Sequence, residues 1–397
     1  MLYLLNIAKV LFPFLTFPYL TRVLSVDSYA LVAYVRAAMQ YLQLWVDFGF
    51  ILSATKNIVH AGKDLNLISH IVSDTMLARF LLAVVGAGIT AVLCVFIPLL
   101  HQNMLFTWLS YGAVFLSCFM VDYLFRGLEK MHAVTLCFVT MKGISTVLTF
   151  VFVHADRDLL WIPLLDIISS VVVLGLIYFQ LKKYRVSLLL PSLVKAWGYL
   201  KESWEYFISG VAAAAFGALN TLLIGIFLPE ADIAVWAVAL QLILAVQMCY
   251  SPIVDGVYPE MMRYKRMKLI TKLLLIFMPI IAVGCVICYF AAPFIICLVA
   301  GNKYTEAAPI FRLMIPVLFF SFPAMLCGWP ALGAIGKVRQ TTATVMAAAA
   351  TQVVGLGLLL VGGMFTLPLI AVMRSVVEGV LMAGRAFLII KYKKQFN

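Results

Sequence analysis

Residues 29–53 read YALVAYVRAAMQYLQLWVDFGFILS, an apolar run interrupted by a few polar side chains. An α-helix needs about 20 mostly apolar residues to cross the hydrocarbon core of a bilayer, which is about 30 Å thick. The run is therefore long enough to span a membrane. Its polar residues must then be met by protein or water, because a charge at membrane depth costs about 2.5–3.5 kcal/mol on insertion scales.

The composition of the whole chain agrees with this interpretation. Of the 397 residues, 64% are hydrophobic and only 12% are charged, whereas soluble domains carry about 25% charged residues. We therefore predict an all-α polytopic membrane protein in a lipid bilayer. The formal net charge of +12 comes largely from Lys and Arg in short loops between apolar runs, so we expect no nucleic-acid partner.

Twelve apolar runs are long enough to be transmembrane helices. They are residues 2–20, 29–53, 77–100, 104–125, 133–153, 159–181, 206–228, 233–257, 271–299, 308–331, 342–363 and 367–390. Lys and Arg concentrate in alternate loops, and the positive-inside rule then places both the N and the C terminus in the cytoplasm. The first run continues into PYLTRVL (18–24), so we expect a retained helix instead of a cleaved signal peptide.

A basic, amphipathic connection divides the chain into two halves. We predict an N-terminal six-helix bundle at 1–181, a cytoplasmic linker at 182–205 that lies along the inner leaflet, and a C-terminal six-helix bundle at 206–397. Two weak internal matches support the division. RVLSVDSYALVAYV (22–35) pairs with IFLPEADIAVWAVA (226–239), and RGLEKM (126–131) pairs with GAIGKV (333–338). Because six is even, the two halves have the same orientation in the membrane.

The polar residues of the opening run share one helical face. At about 100° per residue, Arg36, Gln40, Gln43 and Asp47 fall within an arc of about 60°, and Tyr29 extends the stripe. A one-sided polar stripe on a membrane helix faces protein or a wet cavity. We therefore expect this face to line the interior of the protein.

A second polar stripe interrupts the last apolar run, in RSVVEGVLMAGR (374–385). Arg374, Glu378 and Arg385 lie on one face of the predicted helix. The i, i+4 spacing of Arg374 and Glu378 also permits a purely structural ion pair, and Arg385 can extend to water at the inner interface. Both interpretations remain open.

The sequence offers little for catalysis. All eight cysteines fall in apolar runs and are typical of packing residues. The histidines are scattered, and there is no nucleotide-binding loop with GK[ST]. We therefore expect no catalytic residue, no metal and no cofactor, and we do not expect an enzyme.

Three segments resemble the O-antigen and polysaccharide flippases, the Wzx-type family of the multidrug/oligosaccharidyl-lipid/polysaccharide exporter superfamily. They are FPFLTFPYLTRVLSVDSYALVAY (12–34), DFGFILSATKNI (47–58) and FRGLEKM (125–131). The resemblance implies two six-helix bundles around a central cavity in a bacterial inner membrane. It implies movement of undecaprenyl-diphosphate-linked oligosaccharide from the cytoplasmic to the periplasmic leaflet by alternating access. It also implies a short polar or basic stretch before the first span. This chain begins MLYLLNIAK, so either its start is truncated or Lys9 lies nearer the inner surface.

The implied substrate assigns roles to the residues at membrane depth. The predicted contacts to the diphosphate are Arg36, Lys142 and Arg374, with Lys9 as a weaker candidate. The predicted contacts to sugar hydroxyls are Gln40, Gln43 and Tyr29. The candidates for coupling to H⁺ or Na⁺ are Asp47, Asp166 and Glu378.

Two alternative functions remain open. A multidrug or toxin cation antiporter of the same superfamily favours an acidic cavity, whereas here the deep cations at least equal the deep acids. A membrane glycosyltransferase or polymerase generally needs a sizeable periplasmic loop, and the outer loops here, such as LPEAD (228–232), are very short. A polysaccharide polymerase and glycosyltransferases are instead expected as partners.

Overall fold

The computed structural model describes residues 2–214 and 217–396, and these residues form helices and connecting turns without a β-strand. The chain divides into two compact units, Met1–Val211 and Ala212–Asn397. The helices of the first unit are α1 (Leu2–Val23), α2 (Val26–Asp47), α3 (Phe50–Ala61), α4 (Leu65–Phe96), α5 (Pro98–Gln102), α6 (Met104–Leu116), α7 (Asp122–Gly127), α8 (Met131–Phe152), α9 (Trp161–Lys183) and α10 (Leu193–Ala214), which ends just beyond the boundary. Those of the second are α11 (Ala218–Phe227), α12 (Glu230–Tyr264), α13 (Met267–Val299), α14 (Ala307–Leu326), a π-helical turn (Cys327–Gly333), α15 (Val338–Val361) and α16 (Leu367–Lys391).

Nine helical segments within the described ranges are long and apolar enough to cross a membrane. They coincide with nine of the twelve predicted spans. The other three predictions fall on α1, on α2 with α3, and on α10 with α11. The all-helical fold is confirmed, while the total of twelve spans, the cytoplasmic termini and the predicted domain boundaries stay predictions.

The outer surface of the helices is strongly apolar. On α13, for example, Leu275, Phe290 and Phe294 are each more than two-thirds exposed. Soluble monomers rarely expose contiguous apolar surface on this scale, because water disfavours it. Together with the nine spans, this surface identifies a multi-pass membrane protein.

The opening run, predicted as one helix over 29–53, is broken after Asp47. Phe48 and Gly49 adopt φ values of +41° and +79°, and α3 begins at Phe50. Gly49 suits this break for two reasons. A positive φ favours glycine, and a Cβ at this position would lie 2.5 Å from Cβ of Tyr206 on α10. The break therefore allows α10 to approach the α2–α3 corner closely.

The predicted linker 182–205 forms the end of α9, an extended segment and the first turns of α10. Backbone N–H groups of the extended segment donate hydrogen bonds to three buried side chains of α4, at 3.1 Å to Ser69, 2.8 Å to Ser73 and 2.6 Å to Asp74. These bonds fix the segment against α4. Its position along the inner leaflet stays a prediction.

Glu202 fixes α10 to α3. Its carboxylate accepts hydrogen bonds from Nζ of Lys56 at 3.1 Å and from Nδ2 of Asn57 at 2.9 Å. Partial burial alone would raise the pKa of Glu202, but the bonds from Asn57 and Lys56 outweigh it, and the pKa lies below its ordinary value. The ionised carboxylate is therefore the form that this contact favours.

Candidate functional site

The polar stripe of α2 lines a cavity of about 380 Å³ inside the first unit. Helices α2, α4, α6, α8 and α9 all contribute side chains to its wall. The charged and amide side chains on the wall are Arg36, Gln40, Gln43, Asp47, Arg79, Asp122, Lys142 and Asp166. The structure thus brings together the four stripe residues, as their helical spacing predicts, and adds Lys142 and Asp166 from other helices.

A hydrogen-bonded network surrounds Asp47. Its Oδ1 lies 2.5 Å from a terminal nitrogen of Arg79, and its Oδ2 accepts a bond from Nε2 of Gln43 at 3.0 Å. The same Gln43 amide donates to Oγ of Ser117 at 3.0 Å, and Arg79 also donates to the carbonyl of Met120. Asp47 is the last residue of α2, where the negative end of the helix dipole disfavours a carboxylate. The Arg79 guanidinium compensates for that position.

Arg36 and Lys142 differ from Arg79 in their surroundings. Arg79 is only 5% exposed, whereas the Arg36 side chain is exposed and Lys142 is half-buried on the cavity wall. Within the described part of the chain, neither Arg36 nor Lys142 has a hydrogen-bond or ion-pair partner. Two cations from different helices are therefore available to an anion that enters the cavity.

Asp166 on α9 and Asp122 on α7 also line the cavity. Oδ1 of Asp166 accepts a hydrogen bond from Oγ of Ser145 at 2.7 Å. With the Asp47–Arg79 pair neutral overall, the cavity presents two further cations and two further carboxylates. It can therefore bind a polar molecule with both anionic and hydrogen-bonding groups.

Tyr29, Arg374 and Glu378 are predicted site residues that do not line this wall. Tyr29 is buried, and its ring centroid lies 6.3 Å from that of Phe17. The side chain of Lys9 falls outside the described part of the structure. The predicted roles of Tyr29 and Lys9 stay predictions.

The second polar stripe belongs to the second unit. Arg374 donates a 2.7 Å hydrogen bond to Oε2 of Glu378, and both side chains are buried. Arg385 is also buried, and it donates to the carbonyl of Ala324 at 2.6 Å instead of extending to the interface. The ion pair that the i, i+4 spacing permits is therefore present, and a role of Arg374 in substrate binding stays a prediction.

The sequence alone does not single out Arg79 or Asp122, yet both line the cavity, and Arg79 is the partner of Asp47 from a separate helix. A signal existed, because an acid at membrane depth requires a cation or donor, but the sequence does not specify which one. In the residues for which placement is given, no cluster of His, Cys, Asp or Glu could hold a metal ion.

Two relatives with assigned names share most of the chain. One is described as "Putative O-antigen transporter" from Shigella dysenteriae, with 28% identity over 79% of this chain and 80% of the relative. The other has the same description, from Escherichia coli strain K12, with 23% identity over 78% of this chain and 76% of the relative.

Solved structures share the fold over nearly the whole length. The lipid II flippase MurJ matches with a TM-score of 0.71 and 13% identity, over 98% of this chain and 87% of that chain. A multidrug resistance MATE family transporter of the MOP superfamily matches with a TM-score of 0.68 and 13% identity, over 100% of this chain and 95% of that chain.

These observations define a multi-pass membrane protein with the fold of the MOP transporter superfamily. Residues 1–265 match the family described as "Polysaccharide biosynthesis protein". The chain belongs to this polysaccharide biosynthesis family, and the family predicted from residues 12–34, 47–58 and 125–131 is confirmed.

Proposed function

We propose that the protein is a flippase for undecaprenyl-diphosphate-linked oligosaccharide, an O-antigen or related repeat unit, which it moves to the periplasmic leaflet by alternating access. The observation that carries the proposal is the presence of Arg36 and Lys142, both without a protein partner among the described residues, on the wall of one cavity. The names of the two relatives agree with it. The proposed activity is transport without catalysis.

The chemistry of the diphosphate explains the choice of cations. A diphosphate and a glycan cannot cross hydrocarbon unaided, because charged and hydroxyl groups lose their hydration there. The planar guanidinium of Arg36 can donate two parallel hydrogen bonds to phosphate oxygens. Lys142 supplies a compact positive charge from another helix of the cavity wall, α8. Arg36 would therefore orient the phosphate through directed hydrogen bonds, and Lys142 would add positive charge beside it.

The amides and acids complete the proposed site. Gln40 is exposed to the cavity and can bind sugar hydroxyls, while Gln43 is already engaged by Asp47 and Ser117. Among the candidates for H⁺ or Na⁺ coupling, Asp166 differs because its described donor is the neutral hydroxyl of Ser145, whereas Asp47 and Glu378 each pair with an arginine. Arg374 and, as a weaker candidate, Lys9 remain proposed contacts to the diphosphate. Tyr29 remains a proposed contact to sugar, and Glu378 remains a proposed coupling residue.

A cellular experiment tests the proposal. A strain that lacks the flippase is complemented with Arg36→Ala/Lys142→Ala, and its lipid-linked oligosaccharide is located by leaflet. We expect normal membrane insertion, loss of surface polysaccharide and accumulation of substrate on the cytoplasmic side. The matched control is Arg157→Ala, because the Arg157 side chain is 86% exposed in a loop. Normal surface polysaccharide in the double variant would contradict the proposal.

Export of organic cations is a second candidate, because Asp122 and Asp166 also line the cavity. Removal of these two carboxylates should abolish export of a cationic dye if this is the function. If the protein is a flippase, the wild type should not export the dye. Measurement of dye efflux beside polysaccharide display therefore separates the two candidates.

A further inference from the structure

A groove of about 690 Å³ lies between α14 and α16 in the second unit, far along the chain from the polar cavity. Its walls are apolar, formed mainly by Leu313, Pro316, Phe320, Val372, Val376 and Val380. Gly379 and Ala383 contribute little side-chain volume to its floor. The groove therefore offers a narrow apolar surface between two helices.

The two helices run in the same direction along the groove. Oγ of Ser375 donates a 2.7 Å hydrogen bond to the carbonyl of Leu313, and Arg385 bonds Ala324 about ten residues further along each helix. The hydroxyl of Ser375 is thus occupied within the protein. Apart from that hydroxyl, Arg312 is the only polar side chain among the described residues of the groove wall.

Arg312 lies at one end of the groove, and its described contacts are with Tyr289 alone. Its Nε donates to the carbonyl of Tyr289 at 2.9 Å, and its guanidinium lies 5.4 Å from the centre of the Tyr289 ring. In the described residues, its two terminal nitrogens have no hydrogen-bond or ion-pair partner. On the predicted topology Arg312 lies in the second turn of α14, near the periplasmic surface, where its terminal nitrogens can meet a lipid headgroup.

The length of the groove fits one leaflet. Eleven residues separate Val372 from Ala383, which corresponds to about 16 Å along a helix. That is about half of the 30 Å hydrocarbon core. A lipid chain whose headgroup lies at Arg312 would therefore extend to about the middle of the membrane.

We propose that this groove binds the isoprenyl chain of a polyprenyl-phosphate carrier, with a phosphate group against Arg312. The inference rests on the proposed flippase function, since it locates the lipid part of the same substrate. The groove is a single apolar surface with one cation at its end. A polyprenyl phosphate has one chain and one phosphate group, whereas a phospholipid has two acyl chains, so the groove matches the polyprenyl phosphate better. On the predicted topology, α14 begins at the periplasmic side, so the groove receives the carrier in the leaflet to which it is delivered.

Photo-crosslinking tests the groove directly. A benzophenone amino acid is placed at position 376, and a second protein carries it at position 354 on α15, where Val354 is 61% exposed. Each is reconstituted in phospholipid nanodiscs with a known mole fraction of undecaprenyl phosphate. We expect position 376 to capture the polyprenyl lipid several-fold above its mole fraction, and position 354 to follow the mole fraction. Capture at position 376 that follows the mole fraction, or that favours phospholipid, overturns the proposal.

Two substitutions test the apolar floor and the cation of the groove separately. Gly379→Leu fills the floor and Arg312→Gln removes the charge, and each should lower capture at position 376 several-fold. The matched control is Gly357→Leu on α15, where an added Cβ meets no atom within 4 Å. Unchanged capture in both groove variants would contradict the inference.

The same assay distinguishes this inference from the proposed function. Arg36→Ala/Lys142→Ala should leave capture at position 376 intact, because those residues lie in the other unit. Selective capture together with normal transport in the Arg36/Lys142 variant would contradict the cavity proposal alone. Unselective capture together with lost transport in that variant would contradict the groove alone.

Discussion

Arg79 of α4 and Asp47 of α2 form an ion pair in which a guanidinium nitrogen lies 2.5 Å from Oδ1 of the carboxylate. The pair joins the last residue of α2 to a helix that begins 18 residues later in the chain. It also determines which charges of the cavity remain available, because it consumes one cation and one acid. Arg36 and Lys142 are the cations that this pairing leaves for a ligand.

Loss of Asp47 should destabilise the protein through Arg79. The Arg79 side chain is 6% exposed and would be left as an unpaired buried charge in Asp47→Ala, at a cost of about 3–5 kcal/mol. Asp47→Ala/Arg79→Met should recover most of the loss, because no charge then remains buried. Thermal unfolding in detergent measures both effects. A double variant as unstable as Asp47→Ala would show that the pair is not the cause.

The Arg374–Glu378 pair predicts a similar asymmetry in the second unit. Glu378→Ala leaves buried Arg374 without its 2.7 Å partner, and we expect a loss of about 3 kcal/mol. Arg374→Met/Glu378→Leu should be nearer to the wild type in stability. Surface display of polysaccharide in this stable double variant also tests the predicted contact between Arg374 and the substrate, because normal display would exclude it.

Gly49→Ala should disrupt the packing of α10 on the α2–α3 corner. Both Gly49 and Gly62 have positive φ values, so alanine is strained at each by about 1–2 kcal/mol. Only at Gly49 would the added Cβ also meet Tyr206, at 2.5 Å. We expect Gly49→Ala to lower the melting temperature well beyond Gly62→Ala and to expose the α10 backbone near Lys201 to trypsin. Equal losses of melting temperature in the two variants would show that backbone strain alone, without the contact to Tyr206, explains the effect.

The contribution of Glu202 should depend on pH. Because the pKa of Glu202 is lower in the folded protein, its ionised contact with Lys56 and Asn57 stabilises the fold above the unfolded value of about 4.5. That contribution is lost as the pH falls through the folded value. The stability difference between the wild type and Glu202→Gln should therefore stay constant from neutral pH to about pH 4.5 and shrink as the pH falls further. A difference that grows on acidification would contradict the assigned contact.

Helical spacing predicted the α2 stripe well. Residues 36, 40, 43 and 47 line one cavity because a regular helix places them on one face, and this relation needs only local information. The i, i+4 pair of Arg374 and Glu378 was predictable for the same reason. The hydropathy of the chain likewise predicted the membrane-embedded, all-helical fold.

Long-range relations were beyond the same reasoning. The partner of Asp47 is 32 positions away on another helix, and nothing local distinguishes Arg79 from other basic residues at span edges. The break at Phe48–Gly49 was missed because hydropathy is continuous across it. The only local signal is Gly49 in DFG (47–49), since glycine is the residue that most easily adopts a positive φ. Tyr29, which extends the stripe by seven residues toward the start of α2, is buried beside Phe17, and its contact with a sugar stays a prediction.

Binding of the substrate to purified protein tests the central claim most directly. Wild type, Arg36→Ala/Lys142→Ala, Arg36→Lys and Arg157→Ala are compared for affinity toward an undecaprenyl-diphosphate oligosaccharide and toward undecaprenol, which lacks phosphate. We predict that the double alanine variant loses tight binding of the diphosphate lipid, that Arg36→Lys is milder, and that binding of undecaprenol is unchanged in all four. Equal affinity of the wild type and the double alanine variant for the diphosphate lipid would contradict the assignment of Arg36 and Lys142.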